Sequence, residues 1–272
     1  RYGIHSAMPA AQARRLCPQA VFLRPDGALY RPRSRQVMQI LREEIGSVLQ
    51  QVSIDEAFLD ATGLPDPVGC AKRAQERIHA ETGLTASVAL AATRLCAKVG
   101  SDRFKPQGFV VILPGEEAAF LAPLPIEKIW GIGPRTADAL HDIGLTEVGE
   151  VAAASIAHLA SAVGTRRAHE LQALARGTDD SPVSTKRAPK SYSAENTFAR
   201  DEGNARHLWT ELYTMAETLA GRLASAGLAG TTVGIKLRYP EWATITRDHR
   251  LPQPIDAADD IAQVAALLMR RY

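Results

Sequence analysis

No part of this 272-residue chain approaches the roughly 20 uninterrupted apolar residues of a membrane-crossing helix, because a charge or a proline breaks every hydrophobic run. No secretory leader is expected from the opening residues Arg1-Tyr2-Gly3, which show neither a Met nor an apolar stretch behind them. Cysteine is scarce. Cys17, Cys70 and Cys96 are scattered, odd in number and without CxxC spacing, which argues against a disulfide framework and a structural zinc site. They read as small buried hydrophobes of a protein in a reducing compartment. These absences predict a cytoplasmic protein with no membrane partner. Disorder is excluded by composition, since hydrophobic residues make up 46% and charged ones 23% of the chain. The length predicts two or three compact units.

Net charge is only +2, but its distribution is uneven. Residues 1–42 carry eight arginines, Arg1, Arg14, Arg15, Arg24, Arg31, Arg33, Arg35 and Arg42, against the single acid Asp26. Residues 51–82 reverse the sign, with six acids against Lys72, Arg73 and Arg77. A basic block beside an acidic one suits a polyanion bound next to a metal centre; a solvated arginine face is the other reading of the same charges.

Periodicity alternates between strand and helix, so an α+β architecture is expected. Residues 34–49 place Val37, Ile40, Leu41, Ile45 and Val48 at helical spacing behind Ser34. Residues 52–60 read as a strand, 67–81 as an amphipathic helix and 84–90 as another strand, together an antiparallel sheet with helices on one face. Residues 115–176 are Ala-rich, with short helical repeats broken by glycine, and predict a compact helical subdomain. The polar stretch from Gly177 to Pro189 reads as a linker. Beyond it come a strand (190–199), a helix (204–226), two strands (231–239 and 242–250) and a helix (256–271), a split β-α-β-β-α order without a final strand.

Asp55 and Glu56 are adjacent acids inside Val52-Ser53-Ile54-Asp55-Glu56-Ala57-Phe58-Leu59-Asp60. In a flat strand they point to opposite faces; at a strand end, bulge or hairpin turn both can serve one site. Their apolar neighbours make ionised carboxylates costly unless a cation compensates them. Mg²⁺ prefers one or two carboxylates plus substrate phosphates, which fits such a pair near basic groups. An exposed polar strand edge is the alternative that the residues alone leave open.

Gly131-Ile132-Gly133-Pro134, followed by Thr136, Ala137, Leu140 and Gly144-Leu145, reads as a helix-hairpin-helix. Its glycines let backbone approach a phosphate, and the helix amino terminus offers amides to an anion. Such a hairpin holds DNA without reading bases. Gly164-Thr165-Arg166-Arg167 marks a second turn of this kind, with Arg166 a candidate phosphate contact. Lys186, Arg187, Lys190, Arg238, Arg247 and Arg250 fall on extended segments, where alternate residues share a face and can line a groove along a DNA backbone. Lys98 and Asp102, four apart on one helix, can pair with each other. Lys105, before Pro106, is biased toward extended backbone.

Four ordered segments resemble one family. Ser53-Ile54-Asp55-Glu56-Ala57-Phe58-Leu59-Asp60 is similar to the catalytic palm motif of the Y-family translesion DNA polymerases, in the DNA polymerase IV branch. Tyr2-Gly3-Ile4-His5-Ser6-Ala7-Met8-Pro9 with Leu16-Cys17-Pro18 resembles its fingers segment. Ala97-Lys98-Val99-Gly100-Ser101-Asp102 with Lys105-Pro106-Gln107-Gly108 resembles its second palm motif, and Ile129-Trp130-Gly131-Ile132-Gly133 the glycine turn of its thumb. Ala89-Leu90-Ala91-Ala92-Thr93-Arg94 departs from the family's Gly-(Ile/Val)-Ala-x-Asn-Lys, with Arg94 keeping the charge. The first palm strand, with its metal-binding Asp and sugar-screening aromatic, has no counterpart.

The resemblance implies an α+β multidomain, right-hand polymerase-like fold. Its parts would be fingers (1–27), palm (28–114), helical thumb (115–182), linker (183–189) and little finger (190–272), with both ends cut. It implies template-directed nucleotidyl transfer from a dNTP to a primer 3′-hydroxyl, with DNA repair and copying past damage as its setting. Asp55 and Glu56 would be catalytic ligands of two Mg²⁺ ions and Lys105 the triphosphate contact. Gly131, Ile132, Gly133, Arg166, Lys190, Arg238 and Arg247 would hold primer-template DNA, and a sliding clamp would be a further partner. Without the first strand this chain would extend primers poorly or not at all. A non-catalytic, polymerase-like DNA-binding or adaptor protein is the other class carried.

Overall fold

Asp26 starts the first long helix by accepting the amides of Ala28 and Leu29 on its carboxylate, each at 3.0 Å. That helix, α2 (Gly27–Glu44), follows the short α1 (Ala10–Leu16) and begins seven residues before the expected Ser34, running through Pro32. The computed structural model describes residues 2–185, 189–241 and 243–270. The chain divides into two units, Arg1–Lys186 and Arg187–Tyr272.

In the first unit, strands β1 (Leu49–Gln51) and β2 (Ala57–Leu59) pair antiparallel, Gln51 opposite Ala57. The run 52–60 is thus not one strand: residues 52–56 are a turn. Ser53 and Asp55 explain the break, because the Asp55 amide donates to Ser53 Oγ at 3.2 Å and that hydroxyl lies 2.5 Å from Asp55 Oδ1. Short polar side chains satisfy local backbone here in place of a ladder. Helix α3 (Pro67–Thr82) starts on Asp66 and ends on the left-handed Gly83. Arg77 of α3 ties it to the end of α2, reaching Glu44 at 2.8 Å and Glu43 at 3.0 Å. The Arg77 hydrogen bond holds the Glu44 carboxyl below its ordinary range.

Strand β3 (Val88–Leu90), helix α4 (Arg94–Arg103) and strand β4 (Phe109–Val111) follow, with β3 and β4 parallel and Ala89 opposite Val110. The expected antiparallel sheet is therefore replaced by two separate pairs of strands, one antiparallel and one parallel. A helical crossover between β3 and β4 imposes the parallel sense, since it returns the chain to the same end of the sheet. The described residues form no ladder between the two pairs.

Helices α5 (Glu117–Leu121), α6 (Pro134–His141), α7 (Val148–Ala153), α8 (Ile156–Val163) and α9 (Thr165–Ala175) make the expected helical region. Its core is continuous with α4: Leu95, Cys96 and Val99 pack in one buried cluster with Leu121, Ile126, Leu140, Val148, Leu159 and Leu171. Burial pushes the Cys96 thiol up, as expected of an inert, hydrophobic cysteine. Cys17 is buried too, while Cys70 is only half-buried.

The second unit holds α10 (Ala205–Ala226), β5 (Gly230–Arg238), β6 (Thr244–Ile255) and α11 (Ala258–Met269). Alternation on β5 sends Val233 and Ile235 into a core with Ala216, Ile261, Ala262 and Ala265. The strand expected at 190–199 does not form. Side chains tether that segment instead: Arg222 donates to the Ser193 carbonyl at 2.9 Å and Lys236 meets Glu195 at 2.6 Å. No helix among the described residues is long and apolar enough to cross a membrane.

Candidate active site and nucleic-acid interface

The turn 52–56 is pinned before it presents its carboxylates. Ser34 of α2 donates to the Ile54 carbonyl at 2.5 Å, Gln51 donates to the Ser53 carbonyl at 2.9 Å, and the Val52 amide donates to the Glu56 carbonyl at 2.9 Å. Because the pair lies on a turn rather than a strand, the opposite-face objection does not apply. Asp55 and Glu56 both line one cleft of about 1480 Å³, and Lys98, Ser101 and Lys105 line it as well.

Glu56 does not stand alone. Lys98 of α4 places its ammonium 2.6 Å from Glu56 Oε1 and 2.9 Å from Asp102 Oδ2, and Lys105 lies 2.5 Å from Asp102 Oδ1. The Lys98–Asp102 pairing matches the four-residue spacing read from the sequence; the Glu56 contact, 42 residues away, had no signal there. Burial alone would lower the Lys98 pKa, but the hydrogen bonds to Glu56 and then Asp102 outweigh it and raise the pKa. Burial works in the same way against ionised Asp102, and the Lys105 and Lys98 hydrogen bonds outweigh it, holding that carboxyl below its ordinary range. The Lys105 loop is fixed from behind by Gln75, a buried amide whose nitrogen reaches the carbonyls of Ala86 at 2.8 Å and Gly108 at 3.0 Å.

The donor set fits a hard cation that takes few protein ligands. Asp55 and Glu56 offer neighbouring carboxylates, and one of these oxygens already accepts a cationic partner. Among the described residues no three His, Cys, Asp or Glu side chains come together as a metal cluster. Substrate oxygens would have to complete the coordination.

Arg94 is the residue that sequence reasoning undervalued. Its guanidinium lies 4.5 Å from the Phe58 ring centroid and 5.7 Å from that of Trp130, and the two rings are 5.8 Å apart. It also donates to the Pro182 carbonyl at 3.2 Å. The stack joins β2, the start of α4, the glycine turn and the segment after α9, pairings too distant in sequence for any periodicity to show.

Gly131-Ile132-Gly133 forms the turn into α6, where the Ile132 amide donates to the Ile129 carbonyl at 3.0 Å. Gly131 has φ +96°, and Gly133 caps α6 with Pro134 as its first residue. Gly164, φ +77°, starts α9 in the same way. Arg167 links the two turns by donating to the Gly131 carbonyl at 2.8 Å. Arg166 is 95% exposed and pairs with Glu170 at 3.1 Å.

In the second unit Lys190 is exposed at a bend. Lys186 and Arg187 lie outside the described residues. Arg238 and Arg247 do not share a face. Arg238 is opposite Thr244, and Lys236, opposite Thr246, shares its side, which turns away from the helices; Arg247 is opposite the buried Ile235. Arg250, opposite Thr232, is the arginine of β6 on the open side with Arg238. Register decides this, because alternate residues of paired strands face the same way.

The chain also matches known sequences along most of its length. Residues 1–102 match the impB/mucB/samB family, residues 189–272 its C-terminal domain, and residues 114–145 the helix-hairpin-helix motif of the same family. The chain belongs to this family. It is 39% identical to DNA polymerase IV of Streptomyces coelicolor over 98% of its own length and 57% of that protein's. It is 40% identical to DNA polymerase IV of Alkalilimnicola ehrlichii, covering 98% of this chain and 76% of the relative. A Y-family DNA polymerase chimera of Dbh and Dpo4 superposes with a TM-score of 0.84 at 23% identity, over 99% of this chain and 78% of that one. An insertion ternary complex of Dbh DNA polymerase gives 0.65 at 23% identity, over 99% and 78%. The likeness to these structures places the fold among the Y-family polymerases, as the resemblance implied. The relatives carry the name DNA polymerase IV, and the helix-hairpin-helix is part of the shared family pattern.

Proposed function

We propose that this impB/mucB/samB-family protein is a translesion DNA polymerase that adds a dNTP to a primer 3′-hydroxyl under direction of a template strand. The observation that carries the reading is the convergence of Asp55, Glu56, Lys98 and Lys105 on one cleft. Mg²⁺ ions, held by Asp55 and Glu56 when bound, would supply the positive charge that phosphoryl transfer from a polyphosphate needs. Lys105 offers a mobile ammonium to the triphosphate, a point charge suited to a phosphate oxygen. The turn 52–56, fixed by Ser34 and Gln51, keeps both carboxylates aimed into the cleft.

DNA is held away from the carboxylates. Gly131 and Gly133 bring backbone amides to one phosphate strand beside Ile132, whose own amide donates to the Ile129 carbonyl at 3.0 Å, and the turn at Gly164 with Arg166 adds a second contact. Lys190, Lys236, Arg238 and Arg250 supply cationic side chains from the second unit. Damaged DNA in the cytoplasm is the setting that family membership supports, with a sliding clamp as processivity partner.

Primer extension and primer-template binding test the proposal together. In a form of the protein that carries the family's first palm strand, Asp55→Ala or Glu56→Ala should abolish templated dNTP addition while DNA affinity stays within a few-fold of the parent. Templated addition that survives both substitutions would remove the carboxylates from the reaction. DNA binding with no addition by a parent that carries the family's first palm strand would favour the non-catalytic adaptor reading.

A further inference from the structure

The cleft contains a line of alternating charge, Glu56, Lys98, Asp102 and Lys105, with successive contacts of 2.6, 2.9 and 2.5 Å. The Lys98 side chain is the most enclosed of the four, at 20% exposed. We propose that Lys98 is a positioning residue which occupies Glu56 as an internal counter-ion, and that a divalent cation binding at the carboxylate pair displaces it onto Asp102. The inference rests on reading Asp55 and Glu56 as cation ligands.

Three features support it. An ammonium and a divalent ion compete for the same lone pairs on a carboxylate, so the 2.6 Å contact must loosen before Glu56 can serve a metal. The lysine has somewhere to go: Asp102 is one helical turn along α4 and already touches the same Nζ at 2.9 Å. Asp102 can also receive it without releasing Lys105, because the two lysines use different oxygens, Oδ2 and Oδ1. Until a metal arrives, Lys98 holds the Glu56 carboxylate in the cleft and offsets its charge among apolar neighbours. A flexible four-carbon stem is suited to this exchange, which a rigid planar guanidinium would perform less easily.

Mn²⁺ binding to the 272-residue chain, read from the loss of the free-ion EPR signal, tests the exchange without any turnover. Lys98→Met should bind Mn²⁺ about 3- to 5-fold tighter, the scale of one partly exposed ion pair removed from competition. Asp102→Asn should bind it more weakly, because the displaced lysine loses its second acceptor. Lys105→Met, which deletes a nearby charge that does not touch Glu56, should change the affinity less than Lys98→Met. The difference should persist in about 1 M salt, where the Debye length is about 3 Å and only contact pairs survive. Equal affinities for the parent and Lys98→Met, or equal tightening by Lys105→Met, would overturn the displacement. Should Lys98→Met fail to fold, Asp102→Asn decides alone: unchanged or tighter binding rejects the proposal. Asp55→Asn separates this from the underlying reading, since Mn²⁺ binding that ignores Asp55 sinks the metal site itself. Binding lost in Asp55→Asn but unaltered in Lys98→Met sinks only the exchange.

Discussion

Arg94 opens α4, where the helix dipole disfavours a cation. Phe58 and Trp130 offset that cost by presenting ring faces to the guanidinium at 4.5 and 5.7 Å. Arg94→Ala should therefore lower stability by about 1–2 kcal/mol, the range of a partly desolvated cation–π contact. A urea titration measures it, and an unchanged midpoint would show that the stack contributes nothing net. Arg94→Lys should recover only part, because an ammonium cannot both stack flat and reach the Pro182 carbonyl. In the sequence Arg94 shows only its charge, since both rings and the carbonyl are far along the chain. Lys98 was half legible for the same reason: the four-residue spacing reveals Asp102, whereas nothing local reveals Glu56.

Turns and helix ends show where local chemistry overrides pattern. A strand pattern runs through 52–60, yet Ser53 and Asp55 close a turn that moves both acids to the tip of a hairpin. Glycine positions make the helical region sensitive to single methyl groups. Gly177 has φ +80°, and a Cβ there would lie 2.4 Å from Glu117 Cβ. Gly177→Ala should lose about 1–3 kcal/mol from backbone strain, with the contact adding to it. Gly164→Ala meets nothing within 4 Å, but at φ +77°, ψ 156° it sits in backbone space essentially reserved for glycine, and should lose about 1–3 kcal/mol from strain alone in parallel thermal unfolding. Gly131→Val should weaken DNA binding without altering its salt dependence, because it disturbs backbone approach and removes no charge. A changed salt slope for that variant would mean that the turn acts through Arg167 rather than through its amides.

Across the whole chain, DNA affinity should be sequence-tolerant and steeply salt-dependent, since its proposed contacts are cations and amides aimed at phosphates. Each phosphate neutralised adds about −0.9 to the slope of log affinity against log salt on duplex DNA. Replacing Arg238 and Arg250 together by Ala should flatten that slope by up to about two units, because both lie on the open side of the β5–β6 ribbon. Arg247→Ala should leave it nearly unchanged, its position being opposite Ile235. Fluorescence anisotropy of a labelled primer-template at several salt concentrations separates the two. A flatter slope for Arg247→Ala alone would assign the DNA face to the other side of the ribbon.

What the sequence determined by itself is whatever rests on near neighbours: the helix from Pro67, the glycine-marked hairpin, the helices of the second unit and the acidic pair among apolar residues. Caps, 3.6-residue periodicity and left-handed glycines act within a few residues, so they are written in order along the chain. Tertiary structure alone decided that Glu56 meets Lys98, that β3 and β4 run parallel, that 190–199 forms no ladder, and that Arg238 and Arg247 part company. Each of these depends on register or on contacts between distant segments. A one-residue shift in register would reverse every face assignment on the ribbon while leaving composition and periodicity untouched.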